Sequence, residues 1–365
     1  MTPKFIISGG GTGGHIFPAI SIADALKKVL PQCEILFVGA LGRMEMEKVP
    51  AAGYPIVGLP VAGFQRRMTL KNITFFFKLA ASMLKARKVI QSFQPHVVIG
   101  VGGYASGPVL RAAAAKGIPT LIQEQNSFPG VTNRILAKKA AAICVAYPDM
   151  QRFFPAEKIL FTGNPIRSHL VNPVGLSEAH EAFGLKPELK TILVVGGSLG
   201  AGSVNKGILN GIKRLKNEPV QILWQTGKNY YEDINAVLEP LGLENVKALP
   251  FIQRMDWAYG LANLVVSRAG AGTISELALL GKASILVPSP NVSEDHQTKN
   301  AMALVIKEAA VLVKDKEAPM ELLDKALELL FDDEKCRTLS SNILQLARPD
   351  ADMDIAQEVL KLGNF

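Results

Sequence analysis

Two short segments, FIISGGGTGG from Phe5 and ILVVGGSLGA from Ile192, carry the same pattern about half a chain apart. In each one an apolar run typical of a buried strand passes directly into a glycine-rich turn, and a helical stretch follows. A strand–turn–helix unit of this kind opens a doubly wound parallel sheet, in which β-branched runs alternate with helices. Its occurrence twice within 365 residues predicts an α/β protein with two similar domains.

The rest of the chain continues this alternation of strands and helices. Strands are predicted at Lys4–Ser8, Glu34–Val38, His96–Gly100, Thr120–Gln123, Ala142–Ala146, Ile159–Thr162, Thr191–Val195, Gln221–Gln225, Val246–Leu249, Leu264–Ser267 and Ala283–Val287. Helices are predicted at Ala19–Val29, Val109–Lys116, Lys206–Leu215 and Ile355–Leu362. A segment with two Asn-Pro pairs near Gly163–Pro173 suits a domain boundary. We therefore expect a first domain over 1–163, a second over 164–345, and a final helix over 346–365 that could pack back on the first domain.

Composition excludes several classes of protein. An apolar fraction of 48% argues against a disordered chain, and no run of about 18 apolar residues is free of charge, as a membrane-spanning helix requires. The apolar stretch at the start is too short for a signal peptide. The three cysteines, Cys33, Cys144 and Cys336, are too widely spaced for a disulfide framework or a zinc site. They are expected to be buried thiols in a reducing cytoplasm.

Charge is distributed very unevenly along the chain. Residues 1–168 contain 20 Lys and Arg against 7 Asp and Glu, whereas residues 169–365 contain 20 against 25. Between Glu47 and Glu124 there are ten basic residues and no acidic one. This asymmetry predicts a polyanionic partner for the first half only, which could be nucleic acid, an anionic membrane surface or a phosphorylated substrate.

A helix predicted over residues 70–90 lies within this basic stretch. Lysines recur on it every seven residues, with apolar neighbours on the same flank: Lys71, Lys78 and Lys85, with Phe75, Phe76, Leu79 and Met83. A second apolar stripe is expected to face the core: Ile73, Phe77, Ala80 and Leu84. Cationic and aromatic residues on one helix face suit an anionic membrane, and a solvated lysine face is the alternative. Nucleic acid is not favoured, because the first half contains no known recognition module.

The first glycine loop admits two interpretations. Gly9, Gly11 and Gly14 satisfy the G-x-G-x-x-G fingerprint of dinucleotide binding. The second strand lacks the acid that would hold a ribose, but Arg43 could receive a 2′-phosphate, so an NADP-dependent oxidoreductase is one alternative. His15 follows the loop directly, where it would be either a proton acceptor or a structural residue at the start of a helix.

Three glycine- or polar-rich loops of the second half follow predicted strands. Ser198 and the amides of Gly196–Ala201 could hold a phosphate, or form only a tight turn. In SRAGAGTISE, amides could face phosphate and Glu276 could accept both hydroxyls of a ribose, or the segment could be an N-cap with an acidic first turn. Gln297, in the polar loop after Pro288, could bind sugar hydroxyls.

Seven motifs in this order resemble the MurG family: GGGTGGHIFPA, VGGYASGP, EQNSFPGVTNR, TGNPIR, GGSLGA, SRAGAGTISE and EDHQTKNA. The resemblance covers roughly residues 4–300. Members of this family transfer N-acetylglucosamine to a lipid-linked muramyl-pentapeptide, which makes the last cytoplasmic precursor of peptidoglycan. The resemblance implies the GT-B glycosyltransferase fold, in which two Rossmann-like domains face a cleft and the second holds most of the sugar nucleotide.

The resemblance also implies roles for individual residues. The backbone of Ile252 and the side chain of Arg167 would address uracil, Glu276 the ribose and Ser198 a phosphate. The pyrophosphate and sugar region would be contacted by Ala271, Gly272, Thr273, Ile274 and Ser275. N-acetylglucosamine hydroxyls would be met by Asn126 and Gln297, and the donor phosphates and acceptor by Thr12, Gly13 and Gly14. Many family members carry two glutamines where this chain has His296-Gln297, which bears on sugar selectivity.

The chemistry expected of such an enzyme is a single in-line displacement, because an α-linked donor gives a β-linked product. A base must take the proton of the acceptor hydroxyl, and His15 is the candidate, since imidazole titrates near neutral pH. Helix N-termini and amides can meet the charge of the leaving UDP, so neither a metal nor another cofactor is expected. The acidic run Asp350–Asp354 could imitate a metal-binding motif, but its place after Pro349 favours a helix start.

The expected function is therefore β(1–4) transfer of N-acetylglucosamine from UDP-N-acetylglucosamine to undecaprenyl-pyrophosphoryl-N-acetylmuramyl-pentapeptide (lipid I), which gives lipid II. The protein would sit peripherally on the cytoplasmic side of the bacterial inner membrane. Cell-wall synthesis or division proteins would be its protein partners, and no nucleic acid is expected. A diacylglycerol-glycosylating or processive enzyme, the NADP-dependent oxidoreductase and a non-catalytic membrane adaptor are the alternatives.

Overall fold

The computed structural model describes residues 2–61, 71–166, 170, 175–197 and 199–365, with side chains for all of these except 71–76 and 293. The chain forms two compact units. The first contains Met1–Arg167 together with Arg348–Phe365, and the second contains Ser168–Ala347. Each unit is built on one parallel sheet with helices.

The first unit contains a seven-stranded sheet among its described residues, in the order β3-β2-β1-β4-β5-β6-β7. Its strands are β1 Lys4–Ser8, β2 Glu34–Ala40, β3 Ile56–Leu59, β4 Val97–Gly100, β5 Thr120–Glu124, β6 Ala142–Val145 and β7 Ile159–Phe161. Its first five helices are α1 Gly13–Val29, α2 Glu45–Ala51, α3 Lys71–Phe93, α4 Ser106–Ala114 and α5 Val131–Ala137. The central strands β1 and β4 are mainly apolar and are buried except at Lys4, as strands covered on both faces must be.

The second unit repeats this arrangement with six described strands in the order β10-β9-β8-β11-β12-β13. They are β8 Lys190–Val195, β9 Val220–Gln225, β10 Val246–Leu249, β11 Leu264–Ser267, β12 Ser284–Leu286 and β13 Val311–Leu312. The helices are α6 Leu176–Phe183, α7 Gly202–Leu209, α8 Tyr231–Leu238, α9 Met255–Leu261, α10 Ala271–Leu279, α11 His296–Val305, α12 Ala318–Phe331 and α13 Asp333–Leu344. A last helix, α14 Ala351–Leu362, returns to the first unit.

In both sheets the strand order reverses beside the first strand of the unit, β1 in the first sheet and β8 in the second. In the first, β1 pairs with β2 on one side and with β4 on the other. In the second, β8 pairs in the same way with β9 and β11. Ligands of open α/β sheets bind at the carboxyl ends of the strands beside such a switch point. The loops after β1 and β4, and after β8 and β11, are therefore the places to examine.

The final helix completes the core of the first unit. Ile355, Ala356 and Val359 of α14 are buried in one cluster with residues of β1 and α1. Arg348, just before the helix, stacks on Phe161 with its guanidinium carbon 4.3 Å from the ring centroid. The acidic run forms the first turn of α14, and Asp350 at the N-cap makes no side-chain capping bond. The described residues contain no group of three or more side chains able to hold a metal ion.

The predicted strands are all present, within one or two residues at their ends, but two edge strands were not predicted. β3 has only four residues and β13 only two, and both are partly exposed. Three helices begin earlier than predicted: α1 at Gly13 rather than Ala19, α4 at Ser106 rather than Val109, and α7 at Gly202 rather than Lys206. In each case the glycine-rich turn passes straight into the helix. α7 also ends at Leu209, before a 3₁₀ turn over Ile212–Asn217.

The predicted core stripe of α3 is wrong. Phe77 and Leu84 are 73% and 60% exposed, and Ala80 is exposed as well. The buried face instead carries Ser82, Ala86, Val89 and Ile90. All of residues 77–81 are exposed, so no core among the described residues covers the apolar side chains of this part of the helix. The predicted positions Lys71, Ile73, Phe75 and Phe76 have side chains outside the described residues.

The remaining residues of α3 that were predicted to face a membrane differ in their exposure. Lys78, Leu79 and Lys85 are exposed, and Met83 is half-buried. Within the described part of the chain, no helix has the length and apolar character needed to cross a membrane.

Candidate active site

The glycine loop after β1 packs directly against the glycine loop after β4. A Cβ at Gly9 would lie 2.1 Å from Val101 Cγ2, and a Cβ at Gly103 would lie 2.4 Å from the carbonyl oxygen of Gly10. Gly103 also has a φ of +82°, which side-chain-bearing residues rarely adopt. These contacts explain why both loops consist of glycine at their point of approach.

A buried carboxylate from α2 fixes the first loop. Glu45 Oε2 accepts a hydrogen bond from the amide of Gly11 at 2.8 Å, and its Oε1 accepts from the amide of Ala40 at 2.9 Å. An amide that a dinucleotide phosphate would need is thus already bound to a carboxylate, which would also repel the phosphate. The geometry argues against the NADP interpretation, and sequence reasoning did not single out Glu45.

His15 lies in the first turn of α1 and is held on two sides. Its Nδ1 is 3.0 Å from Oε1 of Gln125, which follows β5. A Cβ at Gly102 would lie 2.8 Å from its Cε1, so the ring rests on the loop after β4. Thr12 occupies the N-cap of α1 without a side-chain capping bond, and Gly13 and Gly14 follow it. The imidazole therefore stands at the switch point of the first sheet.

Asn126 is positioned by the buried carboxylate of Glu124 at the end of β5. Oε1 of Glu124 accepts from the backbone amide of Asn126 at 3.0 Å and from its Nδ2 at 3.2 Å. Its Oε2 accepts from Asn133 Nδ2 at 2.8 Å and from the amide of Gly130 at 3.2 Å. Burial raises the pKa of the Glu124 carboxyl, and these hydrogen bonds oppose that increase. One side chain thus ties the 126–130 loop to the first turn of α5.

In the second unit, the loop after β8 packs on the loop after β9. Gly197 and Gly200 both have positive φ, and a Cβ at Gly200 would lie 2.2 Å from the carbonyl oxygen of Thr226. α7 then begins at Gly202, and the residue at its N-cap, Ala201, offers no capping side chain. Ser198, the candidate phosphate ligand of this loop, lies outside the described residues.

Ile252 is tied to this loop through Gln225. Gln225 Nε2 donates to the carbonyl of Gly197 at 3.1 Å, and its Oε1 accepts from the amide of Ile252 at 2.8 Å. The side chain of Ile252 is buried, so only its main chain can face a base. A uracil that bound this amide would have to share it with the Gln225 side chain or displace that side chain. Arg167, its predicted neighbour, lies outside the described residues.

The loop after β11 leads into α10, whose first turn is open to a ligand. Gly270 at the N-cap has no capping side chain, and the first turn contains no acidic residue. Its first amides, from Ala271 onward, have no partner within the helix. Glu276 lies in the second turn rather than the first, which rules out the acidic-first-turn alternative. Ser275 Oγ donates to the carbonyl of Ala271 at 3.1 Å.

A buried tyrosine positions Glu276. Tyr259 Oη, on α9, donates to Glu276 Oε2 at 3.0 Å, and sequence reasoning missed this partner. The buried tyrosine thus fixes the Glu276 carboxylate at the edge of the second sheet. Thr273 and Ile274 lie on the same helix as Glu276, α10.

The loop after β12 is held by Gln297 and Arg268. Gln297 Oε1, in the first turn of α11, accepts from the amide of Ser289 at 2.8 Å. Arg268 Nη1 donates to the carbonyls of Val287 and Pro288 at 3.1 and 3.2 Å and pairs with Asp315. Two non-glycine residues with positive φ, Glu294 and Asp295, lie just before α11, and His296 begins it. Backbone strain of this kind is often found at functional sites.

The structure thus assembles two groups of predicted site residues, one in each unit. The first contains Thr12, Gly13, Gly14, His15 and Asn126 at the carboxyl edge of the first sheet. The second contains Ile252, Ala271, Gly272, Thr273, Ile274, Ser275, Glu276 and Gln297 at the carboxyl edge of the second sheet. Their individual roles remain predictions.

Two doubly wound parallel sheets, each with glycine loops at its switch point, are the architecture of the GT-B fold found in many glycosyltransferases. The sequence matches the Glycosyltransferase family 28 N-terminal domain over residues 5–145 and the Glycosyltransferase family 28 C-terminal domain over residues 191–355.

A UDP-N-acetylglucosamine–N-acetylmuramyl-(pentapeptide) pyrophosphoryl-undecaprenol N-acetylglucosamine transferase of Phocaeicola vulgatus is 57% identical over 363 residues, which cover 99% of this chain and 96% of that protein. The transferase of the same name from Cytophaga hutchinsonii is 56% identical and covers 99% of this chain and 97% of that protein. The crystal structure of Acinetobacter baumannii MurG matches with a TM-score of 0.80 at 29% identity, over 98% of this chain and 99% of that chain. The chain belongs to the MurG family.

Proposed function

We propose that this chain transfers N-acetylglucosamine from UDP-N-acetylglucosamine to undecaprenyl-pyrophosphoryl-N-acetylmuramyl-pentapeptide, which converts lipid I to lipid II. The observation that carries this proposal is the 57% sequence identity to the Phocaeicola vulgatus transferase over nearly its whole length. Because the similarity covers both units, it includes both groups of candidate site residues.

The second unit would hold the donor. The open first turn of α10, formed by Ala271, Gly272 and Thr273, offers amides and a positive helix end to the pyrophosphate, together with Ser198. Glu276, fixed by Tyr259, would accept the ribose hydroxyls, and Ile274 and Ser275 would line this region. Uracil would be read by the main chain of Ile252 and by Arg167. Gln297 and Asn126 would bind hydroxyls of the sugar.

The first unit would supply the base and the acceptor site. The acceptor hydroxyl attacks the anomeric carbon, the bond from that carbon to UDP breaks, and the hydroxyl proton passes to His15. The configuration inverts in this single displacement. Amides at the helix N-termini, with Thr12, Gly13 and Gly14, would stabilise the charge on the departing UDP without a requirement for a metal.

The basic surface of the first unit would hold the chain peripherally at the cytoplasmic side of the inner membrane. Phe77, Leu79 and Leu84 of α3 are exposed beside Lys78 and Lys85, and Met83 is half-buried among them. Apolar side chains with lysines on one helix suit anionic lipid, and Lys71, Phe75 and Phe76 would extend this face. An enzyme there would meet the proteins that make lipid I and use lipid II, so cell-wall synthesis and division proteins are the class of protein partner that we propose.

Transfer of radiolabelled N-acetylglucosamine to two acceptors tests this function. A purified chain should label a lipid I analogue and leave diacylglycerol unlabelled. Labelling of diacylglycerol alone would contradict the proposal in favour of a glycolipid synthase. Absence of transfer to either acceptor, with tight UDP-N-acetylglucosamine binding, would support a non-catalytic adaptor instead.

A further inference from the structure

Three buried amide side chains connect the end of the first unit's sheet to His15. Asn164 Nδ2 donates to the backbone carbonyl of Gln125 at 3.1 Å, and Gln123 Nε2 donates to Asn164 Oδ1 at 2.9 Å. Gln125 Nε2 in turn donates to Gln123 Oε1 and, at 2.7 Å, to the carbonyl of Val101. All three amides are buried, so their donors and acceptors must be paired within the protein. We call Asn164, Gln123 and Gln125 the amide relay.

The amide relay has one consistent direction. A backbone carbonyl can only accept, so the carbonyl of Gln125 forces Asn164 to turn its Nδ2 toward it and its Oδ1 toward Gln123. Gln123 must then present Nε2 to Asn164 and Oε1 to Gln125. The carbonyl of Val101 demands the same orientation of Gln125 independently. As a result Gln125 must present Oε1, an acceptor, to the imidazole.

An acceptor at this position determines which nitrogen of His15 carries the proton. Oε1 of Gln125 lies 3.0 Å from Nδ1, a distance at which Nδ1–H must be the donor. In the neutral ring Nε2 then carries the lone pair. A histidine is a base at one nitrogen only, and its tautomer is set by the hydrogen bond that the other nitrogen makes.

We infer that Gln125, oriented by Gln123 and Asn164, is a positioning residue that fixes His15 as its Nδ1–H tautomer, so that Nε2 is the atom that receives the acceptor's proton. The inference rests on the proposed function for the role of His15 as base. Its structural part, the tautomer, does not depend on activity. The inference also gives Asn164 a role, which neither its boundary segment nor the motif TGNPIR had indicated.

The tautomer can be measured directly on the unmodified chain. We expect ¹⁵N NMR of histidine-labelled protein at mildly alkaline pH to show a protonated, pyrrole-like Nδ1 and an unprotonated, pyridine-like Nε2 for His15. Comparison with His15→Gln assigns the signals among the five histidines. A dominant Nε2–H form would overturn the inference whatever the enzyme's activity. The expected form in an inactive chain would leave the tautomer standing and overturn the proposed function alone.

Variants of Gln125 test the consequence for catalysis. Gln125→Leu removes the acceptor that holds the proton on Nδ1, so the neutral ring can also adopt the Nε2–H tautomer, which cannot accept a proton at Nε2. We therefore expect kcat to fall by at least about tenfold, with little change in KM for the donor. Gln125→Glu retains an acceptor oxygen whether or not it is protonated, so it should recover most of the lost kcat. Equal kcat in Gln125→Leu and the unmodified chain, or loss of kcat in both variants with the fold intact, would overturn the inference.

A matched control separates positioning from folding. Gln221 on β9 is also a buried glutamine, and it bonds only outside the candidate site, to Lys186, Leu189 and Thr191 in the described structure. Gln221→Leu removes a comparable set of buried hydrogen bonds in the second unit. If it lowers stability as Gln125→Leu does but leaves kcat unchanged, the effect at Gln125 is one of position. An equal loss of kcat in both would overturn the inference.

Discussion

At the scale of single residues, the candidate ligand-binding groups are held in place by buried polar side chains behind them. Tyr259 holds Glu276, Gln225 holds the amide of Ile252, and Glu124 holds Asn126. A buried hydroxyl or amide without such a partner would be costly, so each pair stabilises the fold and orients the site together. This arrangement keeps the candidate ligand-binding groups at a fixed orientation before a ligand arrives.

Tyr259→Phe tests the support of Glu276. The variant removes one hydroxyl and leaves the ring in the core. A hydrogen bond to a carboxylate contributes about 1.5–3 kcal/mol, and with some compensation by water we expect UDP to bind roughly tenfold more weakly in calorimetry. Tyr54→Phe, which removes a tyrosine–carboxylate bond to Asp24 in the first unit, should leave UDP affinity unchanged. Equal UDP affinity in Tyr259→Phe and the unmodified chain would contradict this role.

Sequence reasoning found the candidate ligand-binding and catalytic residues better than the residues that support them. His15 and Glu276 lie in motifs whose spacing indicates chemistry. The support of His15 comes from a distant part of the chain, since 110 residues separate it from Gln125, and 34 residues separate Gly11 from its partner Glu45. Such pairs have no local signature, because only the sheet topology brings the ends of different strands together. The glycine fingerprint by itself therefore suggested a dinucleotide, and Glu45 removes that interpretation.

At the scale of elements, buried strands were predictable and boundaries were not. A run such as Leu264–Ser267 is apolar because helices cover both faces of its sheet, so composition alone indicates a strand. The short edge strand β13 has no such signal. α3 shows the opposite error, since an apolar periodicity predicts a buried face only where another element covers it. Phe77 and Leu84 belong to a part of the helix that no other described residue buries.

The open first turn of α10 gives a prediction in which stability and binding change in opposite directions. A Cβ at Gly272 would meet no atom within 4 Å, so a side chain fits there. Gly272→Asp should raise the melting temperature, because an acid near a helix N-terminus contributes about 0.3–1 kcal/mol and glycine is a poor helix former. It should also weaken UDP binding by at least about tenfold through repulsion of the pyrophosphate. Calorimetry with UDP and with uridine measures this.

The control for this prediction is Gly272→Ala, which should raise stability and leave UDP affinity nearly unchanged. Uridine, which has no phosphate, should bind Gly272→Asp as it binds the unmodified chain. If Gly272→Asp binds UDP normally, α10 does not face the pyrophosphate.

The exposed apolar residues of α3 give a second prediction at this scale. Phe77→Ser with Leu84→Ser removes two side chains that would each gain about 1.5–3 kcal/mol on full burial in lipid. We expect sedimentation with anionic vesicles to fall by at least about tenfold, with UDP affinity unchanged. The matched control, Ile306→Ser with Met320→Ser, changes residues that are 77% and 81% exposed in the second unit and should not alter sedimentation. Equal vesicle binding by both double variants would contradict a membrane role for α3.

At the scale of the whole molecule, one sheet topology is used twice and the chain returns to its first unit at the end. α14 adds Ile355, Ala356 and Val359 to a core whose other buried residues lie between Phe5 and Cys144. Because α14 packs into this core, the stability of the first unit depends on the last residues of the sequence. The end of the chain was predicted to form a helix that could pack back on the first domain, and the structure shows which buried residues it joins.

Ile355→Ala tests the dependence of the first unit on α14. Replacing a buried isoleucine by alanine costs about 2–5 kcal/mol. Thermal denaturation should show the loss in a transition that added UDP does not shift, because we expect UDP to stabilise the second unit. The corresponding change in the second unit, Ile222→Ala on β9, should lower the transition that UDP raises. Loss of the UDP-responsive transition in Ile355→Ala would contradict this division.

The central claim is that the second unit holds the uracil, ribose and pyrophosphate of the donor, and that the first unit's glycine loop is not the main nucleotide site. A crystal structure with bound UDP-N-acetylglucosamine tests it most directly. We predict uracil against the main chain of Ile252, the ribose on Glu276 and the pyrophosphate at the first turn of α10. Phosphates seated on the loop of Gly9–Thr12, with the second unit empty, would contradict the account.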